Sequence, residues 1–184
     1  METPILSTIP GTRIRLRRLT PADVDGIYTI FSDPKVMRYW STPPLQDKDA
    51  AAKLIDEIGQ DIDRGTILKW GIALNTNDAV IGTTTLFNLD LGNGRAEIGY
   101  ALARDFWGQG YMSEALQVLL EYSFNLLPLR RLEADVDPRN DASIRTLERL
   151  GFRREGFLRE RWHVGGEIQD ALFYGLLKRE WQKS

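Results

Sequence analysis

A short glycine-containing stretch is the part of the sequence with the clearest capacity to bind a ligand. Residues 100–115 read YALARDFWGQGYMSEA, so a predicted strand passes through Gly108 and Gly110 into a predicted helix. Glycine lets the backbone approach a ligand closely, and the unpaired amide groups at a helix N-terminus attract anions. The stretch therefore predicts a phosphate or pyrophosphate site. The alternative is that the two glycines only form a tight turn between strand and helix.

Two classes of phosphate ligand can be set aside because the stretch lacks the residues that bind them. A nucleoside-triphosphate loop carries Gly-Lys-Ser/Thr, and this tripeptide does not occur in the chain. The dinucleotide fingerprint Gly-x-Gly-x-x-Gly has a third glycine where this chain has Ser113. The helix also begins past the middle of the chain, after a predicted antiparallel meander. Neither a triphosphate loop nor a nicotinamide site is therefore indicated.

A second candidate stretch lies at the start of a later helix. Residues 137–152 read DPRNDASIRTLERLGF, with Asn140 and Ser143 at the cap and in the first turn of the predicted helix. Both side chains could reach a ligand that lies across the helix start. The alternative is an ordinary helix N-terminus, in which Asn140 bonds only to its own backbone.

Composition excludes several other kinds of chemistry. The chain has no cysteine and one histidine, which excludes disulfides, thiolate nucleophiles, thiolate-bound metals and a multi-histidine metal centre. Lysine and arginine number 24 against 26 acidic residues, so there is no global basic field for nucleic acid or anionic lipid. The longest uncharged run is the eleven residues 79–89, too short for a membrane helix, and the N-terminus lacks signal-peptide features. We therefore expect a cytoplasmic protein.

The elements that position these residues follow from hydrophobic periodicity. Alternation predicts strands, and a 3.6-residue apolar repeat predicts helices. The predicted strands are 13–19, 68–74, 80–87, 96–103, 132–136, 152–159 and 168–177, and the predicted helices are 20–33, 47–64, 111–127 and 141–150. Strand–helix–strand connections imply parallel pairing, whereas the three consecutive strands imply a meander. We predict a single domain over residues 1–184, an α/β (α+β) fold with a mixed sheet and helices on both faces. The arginines at 13, 15, 17 and 18 are predicted to form a solvated face of an edge strand.

Several motifs together resemble one enzyme family. They are EIGY at 97–100, WGQGY at 107–111, SEA at 113–115, Asn140 with Ser143, and ERLGF at 148–152. In this combination the chain resembles the Gcn5-related N-acetyltransferases (GNAT family), and within it the branch that acetylates the N-termini of ribosomal proteins. The resemblance covers nearly the whole chain, because the order of elements and the final hairpin also fit. It implies a single N-acetyltransferase domain with a centrally splayed sheet.

The resemblance implies acetyl-CoA as the donor and assigns residues to it. The pyrophosphate would bind backbone amides of the glycine loop, which spans Gly108, Gln109, Gly110, Tyr111, Met112 and Ser113. Pantetheine would pair like an additional strand with the backbone around Leu102. Asn140 would hold the pantetheine arm, and Ser143 would lie near the thioester sulfur. Met112 departs from the family pattern, which usually has Gly or Ala at this position.

The implied reaction is acetyl transfer to an amine, which requires neither a metal nor a covalent enzyme intermediate. An amine is cationic at neutral pH, so a base is useful, and Glu97 is the candidate. The alternative is a surface carboxylate paired with Arg95 or Arg104. Many relatives protonate the departing thiolate with a tyrosine on the helix after the asparagine. That helix has no tyrosine here, so Ser143 is the candidate by position.

The acceptor and the assembly are left open by the sequence. The acceptor is either a protein N-terminus or a small amine, and no nucleic-acid or membrane partner is expected. Tyr39, Trp40 and Trp162 either line an acceptor pocket or belong to small satellite cores. The oligomeric state is open between a monomer and a homodimer. Two other functions remain as alternatives, a non-catalytic module that senses acyl-CoA and a purely structural domain.

Overall fold

The computed structural model describes residues 6–181 and consists of one mixed sheet with helices on both faces. This arrangement confirms the predicted fold class. The strands are β1 (Ile9–Pro10), β2 (Ile14–Arg17), β3 (Leu68–Leu74), β4 (Val80–Asp90), β5 (Arg95–Leu102), β6 (Arg131–Val136), β7 (Arg153–Val164) and β8 (Glu167–Leu177). The α-helices are α1 (Val24–Phe31), α2 (Pro34–Met37), α3 (Lys48–Asp63), α4 (Tyr111–Leu126) and α5 (Asp141–Arg149). None of the helices between residues 6 and 181 is both long and apolar enough to cross a membrane.

The sheet has the order β1-β2-β3-β4-β5-β6-β8-β7, and its centre is the pairing of β5 with β6. This pair is parallel and covers only three positions, Arg95 with Arg131, Ala96 with Leu132 and Glu97 with Glu133. Beyond Glu97, β5 continues beside β4 while β6 continues beside β8. The two central strands therefore diverge and leave a cleft between them.

Two hydrophobic clusters cover the two faces of the sheet. One cluster joins Ile98 and Leu102 of β5 to the buried face of α4. The other joins Ala101 of β5, and Ala103 just after it, to α1 and α3. Because successive strand side chains point to opposite faces, Tyr100 lies on the α4 face and Glu97 on the face of α1 and α3. This separation matters for the site, since the two side chains approach the cleft from opposite sides.

The arginines near the start of the chain form ion pairs, and the prediction that they lie on an edge strand is wrong, although Arg13 and Arg18 are exposed to solvent. Strand β2 is covered by β1 and is not an edge. Arg17 makes two hydrogen bonds of 2.8 Å to the buried Asp23, and the other three arginines also form ion pairs. The prediction missed this pairing because the acidic partners Asp63, Asp78 and Glu114 lie far away in sequence.

The segment after α1 also differs from its prediction. The first helix ends at Phe31, just before the predicted boundary at Asp33-Pro34, and Pro34 begins the short helix α2, which contains residues predicted as loop. Asp33 caps this helix by accepting a hydrogen bond from the Lys35 amide at 2.8 Å. Strand β1 was not predicted either, because two residues are too few for a periodic pattern.

Strand β3 contains a buried lysine on the α1 and α3 face. Lys69 is 8% exposed, and its ammonium nitrogen lies 5.2 Å from the centre of the Phe31 ring. Burial lowers the pKa of Lys69 to about 8, because the charged form loses its hydration.

Candidate active site

The cleft between β5 and β6 is lined by main-chain groups of β5. The Ala103 amide donates to the Ile81 carbonyl at 2.8 Å, so the odd-numbered positions of β5 hydrogen-bond to β4. In an antiparallel ladder the intervening residues point the other way, so the amides of Tyr100 and Leu102 face the cleft. The Leu102 carbonyl accepts a hydrogen bond from Trp107 Nε1 at 2.7 Å. Of the Leu102 main-chain groups, the amide is therefore the one left to meet a strand-like ligand.

The glycine loop enters α4 in a conformation that requires glycine. Gly108 and Gly110 have φ values of 72° and 81°, in the left-handed region. Helix α4 begins at Tyr111, and the Glu114 amide makes the first helical bond, to the Gly110 carbonyl at 3.1 Å. The amides before it, up to that of Ser113, have no partner within the helix. A Cβ added at Gly108 would meet nothing within 4 Å, so this side of the loop is open to a ligand.

An arginine from the start of the chain braces the glycine loop. Arg13 donates to the Gln109 carbonyl at 3.0 Å and, through Nε, to Glu114 at 2.8 Å. Its guanidinium also lies 4.4 Å from the centre of the Tyr111 ring. Burial opposes ionisation of Glu114, but the hydrogen bonds from Arg13 outweigh it and lower the pKa of this carboxyl. Sequence reasoning missed this contact, since Arg13 and Glu114 are 101 residues apart.

Side chains of the glycine loop and of the α5 cap form hydrogen bonds with main-chain groups of the protein itself. Gln109 Nε2 donates to the Asp105 carbonyl at 2.7 Å, so this side chain holds the turn together. Asn140 Oδ1 accepts a hydrogen bond from the Ser143 amide at 3.2 Å and caps α5. The capping alternative is thus observed for Asn140, while in the described part of the chain its amide nitrogen remains available as a donor.

A hydrogen bond from β5 to α5 joins Ser143 to a residue for which no role was predicted. Tyr100 Oη and Ser143 Oγ are 2.6 Å apart, and both side chains are partly buried. Burial raises the pKa of Tyr100 to about 12, which the hydrogen bond with Ser143 offsets only in part. The sequence contained a signal for Tyr100, since it ends the EIGY motif, but only the fold brings it to Ser143.

The carboxylate of Glu97 lies at the point where β5 and β6 separate, and no lysine or arginine among residues 6–181 forms an ion pair with it. Glu97 Oε1 accepts a hydrogen bond from Asn88 Nδ2 at 2.9 Å. The alternative pairing with Arg95 or Arg104 is not observed. Arg95 pairs with Asp90 and Glu133, and Arg104 pairs with Asp33.

The aromatic residues considered for an acceptor pocket divide into two groups. Trp40 packs edge-on against Phe31, with ring centres 5.3 Å apart, and contributes to the cluster under α1 and α3. Tyr39 donates to the Arg139 carbonyl at 3.0 Å and links the segment after α2 to the turn before α5. Trp162 is 42% exposed and donates to Asp135 at 3.2 Å. No group of three or more histidine, aspartate or glutamate side chains suited to a metal ion occurs in the described part of the chain.

Comparisons with known proteins identify the family. Residues 13–153 match the family model of the acetyltransferase (GNAT) domain. The uncharacterized N-acetyltransferase p20 of Bacillus licheniformis is 39% identical over 176 residues, which cover 96% of this chain and 99% of that protein. The spermidine N(1)-acetyltransferase of Escherichia coli is 25% identical over 159 residues, covering 86% of this chain and 83% of that protein.

Solved structures show the same fold. The structure of Mycobacterium smegmatis RimJ in complex with CoA-disulfide superposes with a TM-score of 0.87 at 24% identity, covering 96% of this chain and 90% of that one. The order of the elements, the central cleft and the matched domain agree with one another. The chain therefore belongs to the GNAT family and is an acetyl-CoA-dependent N-acetyltransferase.

Proposed function

We propose that this enzyme transfers the acetyl group of acetyl-CoA directly to a primary amine in the cleft between β5 and β6. The observation that carries the proposal is the convergence of several groups on one cleft. The hydrogen bond from Trp107 to the Leu102 carbonyl ties the glycine loop to β5, and the hydrogen bond between Tyr100 and Ser143 ties the first turn of α5 to the same strand. Positioning both reactants there supplies much of the rate acceleration, because it removes the entropy of bringing them together.

The donor is held mainly by main-chain groups. The loop amides from Gly108 to Ser113 bind the pyrophosphate, with the dipole of α4 favouring its charge. The side chain of Met112 is partly buried and packs against the main hydrophobic cluster. Pantetheine pairs with the Leu102 amide like a further strand, and Asn140 donates to the pantetheine arm. The brace from Arg13 fixes the loop in the conformation that presents these amides.

The two catalytic groups act from opposite faces of the sheet. Glu97, on the α1 and α3 face, accepts a proton from the attacking amine, directly or through one water. Ser143, on the α4 and α5 face, donates a hydrogen bond to the departing sulfur. This division suits a tetrahedral intermediate, in which the entering nitrogen and the leaving sulfur occupy different corners of the same carbon.

The charges near Glu97 favour an acceptor with a single amine, such as a protein N-terminus, over a polyamine. The neighbouring carboxylates of β6 and the turn after it are already neutralised by arginines. Glu133 pairs with Arg131 at 2.6 Å, and Asp137 pairs with Arg139 at 2.7 Å. A polyamine would need several unpaired carboxylates along its length. Because one relative is a spermidine N(1)-acetyltransferase, spermidine is the polyamine to compare with N-terminal peptides in the test.

Two measurements test the proposal. Coenzyme A at millimolar concentration should raise the melting temperature, because a ligand that binds the native state stabilises it. Thiol release from acetyl-CoA should then appear with N-terminal peptides and be weaker with spermidine. Binding without thiol release for any peptide, amino acid or polyamine would favour the acyl-CoA sensor instead. If coenzyme A produces no melting shift and no binding signal in calorimetry, the donor site is refuted.

A further inference from the structure

The hydrogen bond between Tyr100 and Ser143 crosses the cleft in which the thioester is proposed to lie. Tyr100 belongs to β5, and Ser143 belongs to the first turn of α5, which follows β6. Their oxygens are 2.6 Å apart, although the residues are 43 positions apart in sequence. The contact therefore links β5 to α5 at a position where the sheet no longer pairs β5 with β6.

By geometry alone either hydroxyl can donate this hydrogen bond, and the burial of the phenol favours Tyr100 as the donor. Burial raises the pKa of Tyr100 to about 12, so the phenol keeps its proton throughout the neutral range. A partly buried O–H group needs an acceptor, and among residues 6–181 Ser143 Oγ is the one within hydrogen-bond distance. If Tyr100 donates, the proton of the Ser143 hydroxyl is free to point to a third group. The opposite direction would leave the phenol proton without a partner.

We propose that Tyr100 is a positioning residue for the leaving group, because its donation to Ser143 turns the serine O–H toward the thioester sulfur. This inference rests on the proposed acetyl transfer and adds a residue to its mechanism. The amine nitrogen forms a bond to the carbonyl carbon, and the carbon–sulfur bond breaks with its electron pair remaining on sulfur. The thiolate then accepts the hydrogen bond from Ser143. The proton lost by nitrogen goes to Glu97 or water, and the thiolate takes its proton from solvent.

The relative acidities argue against Tyr100 as the final proton donor. An ordinary thiol has a pKa near 8.5, whereas that of Tyr100 is about 12. Full transfer of the phenol proton to the thiolate is therefore unfavourable by roughly three thousandfold. A serine hydroxyl is a weaker acid still. The two hydroxyl groups thus stabilise the negative sulfur by hydrogen bonding and keep their own protons.

The test is Tyr100→Phe, which removes only the hydroxyl and keeps the packed ring. We expect kcat to fall by roughly 3–30-fold, the effect of losing one oriented hydrogen bond, while KM for acetyl-CoA stays within about twofold. Ser143→Ala should lower kcat by roughly 10–100-fold, because it removes the donor to the charged sulfur. Ser143→Thr, which keeps a hydroxyl, should retain most of the activity.

The double variant separates positioning from support of the fold. If Tyr100 acts through Ser143, Tyr100→Phe in the Ser143→Ala background should change kcat by less than about twofold, because the effects of coupled residues do not add. Tyr174→Phe is a matched control. Tyr174 is a buried tyrosine on β8, which is not one of the two strands that border the cleft, and its hydroxyl donates to Glu148 at 3.2 Å. Its kcat should remain parental.

Parental kcat for Tyr100→Phe, or losses that multiply in the double variant, would overturn the positioning role. So would a rise in KM for acetyl-CoA at unchanged kcat, which indicates a structural tie alone. These results leave the proposed acetyl transfer intact, since the parent enzyme is active in each of them. A parent protein that releases no thiol with any acceptor would instead refute the proposed function, and the role of Tyr100 with it.

Discussion

Replacement of Glu97 by glutamine tests the proposed general base with little disturbance of the structure. Glutamine keeps the size of the side chain, and its amide oxygen can still accept the 2.9 Å hydrogen bond from Asn88. It cannot take up a proton. Among residues 6–181 no cation pairs with Glu97, so the change breaks no ion pair. Coenzyme A affinity and melting temperature should therefore stay close to those of the parent.

The expected loss of turnover depends on the acceptor. Losing general-base assistance lowers the rate by about 10²–10⁴-fold at neutral pH. Without the base, the rate follows the fraction of free amine. For an N-terminal amine with a pKa near 7.8 that fraction grows roughly sevenfold between pH 7 and pH 9. For an alkylamine with a pKa near 10.4 it grows roughly a hundredfold. Between pH 7 and pH 9 the turnover of Glu97→Gln should therefore rise roughly sevenfold with the N-terminal amine and roughly a hundredfold with the alkylamine.

The assay is thiol release at saturating acetyl-CoA, with a peptide and an alkylamine, at pH 7 and pH 9. Glu57→Gln, which alters an exposed carboxylate on α3 that pairs with Lys53, controls for the change of charge. Near-parental turnover of Glu97→Gln at pH 7 would show that Glu97 is an ordinary surface carboxylate. Equal recovery with both acceptors would also refute the reasoning, since the free-amine fraction would then not limit the rate.

Three further variants test the donor site and the core. Gly110→Val should weaken coenzyme A binding at least tenfold. Gly166→Val has similar backbone strain, with φ values of 81° for Gly110 and 86° for Gly166, but it lies in the β7–β8 turn outside the glycine loop, so equal affinities would contradict the loop assignment. Asn140→Ala should cost about 0.5–2 kcal/mol of stability and should also weaken coenzyme A binding. The control Asp47→Ala removes the α3 cap and should cost stability alone. If coenzyme A affinity is unchanged in both variants, Asn140 is a helix cap only. The pKa of Lys69 is lowered to about 8 from 10.5, so between these pH values the unfolded chain binds more protons than the folded protein. The free energy of unfolding from denaturant titrations should therefore rise with pH in this range. Lys69→Met should lack this rise, and parallel pH curves for the parent and the variant would refute the prediction.

Local interactions explain what the sequence by itself determined. The glycines before α4 and the Asn140 cap were predictable because a left-handed backbone and a helix cap are set by neighbouring residues. Apolar periodicity likewise predicted most strands and helices, the mixed sheet and the helices on both faces. The family motifs are local too, so the donor and the class of reaction were accessible from the chain alone.

Tertiary structure decided the contacts that turn these elements into a site. Sequence periodicity does not state that β5 and β6 pair over three positions and then separate, because this depends on where β4 and β8 draw each strand away. It does not bring Tyr100 to Ser143 or Arg13 to Glu114, since such pairs are far apart in sequence and meet only after the sheet and helices have packed. Nor does it show whether Glu97 meets an arginine or Asn88. Each of these contacts depends on the register between strands or on the packing of helices against the sheet, and no single segment contains that information.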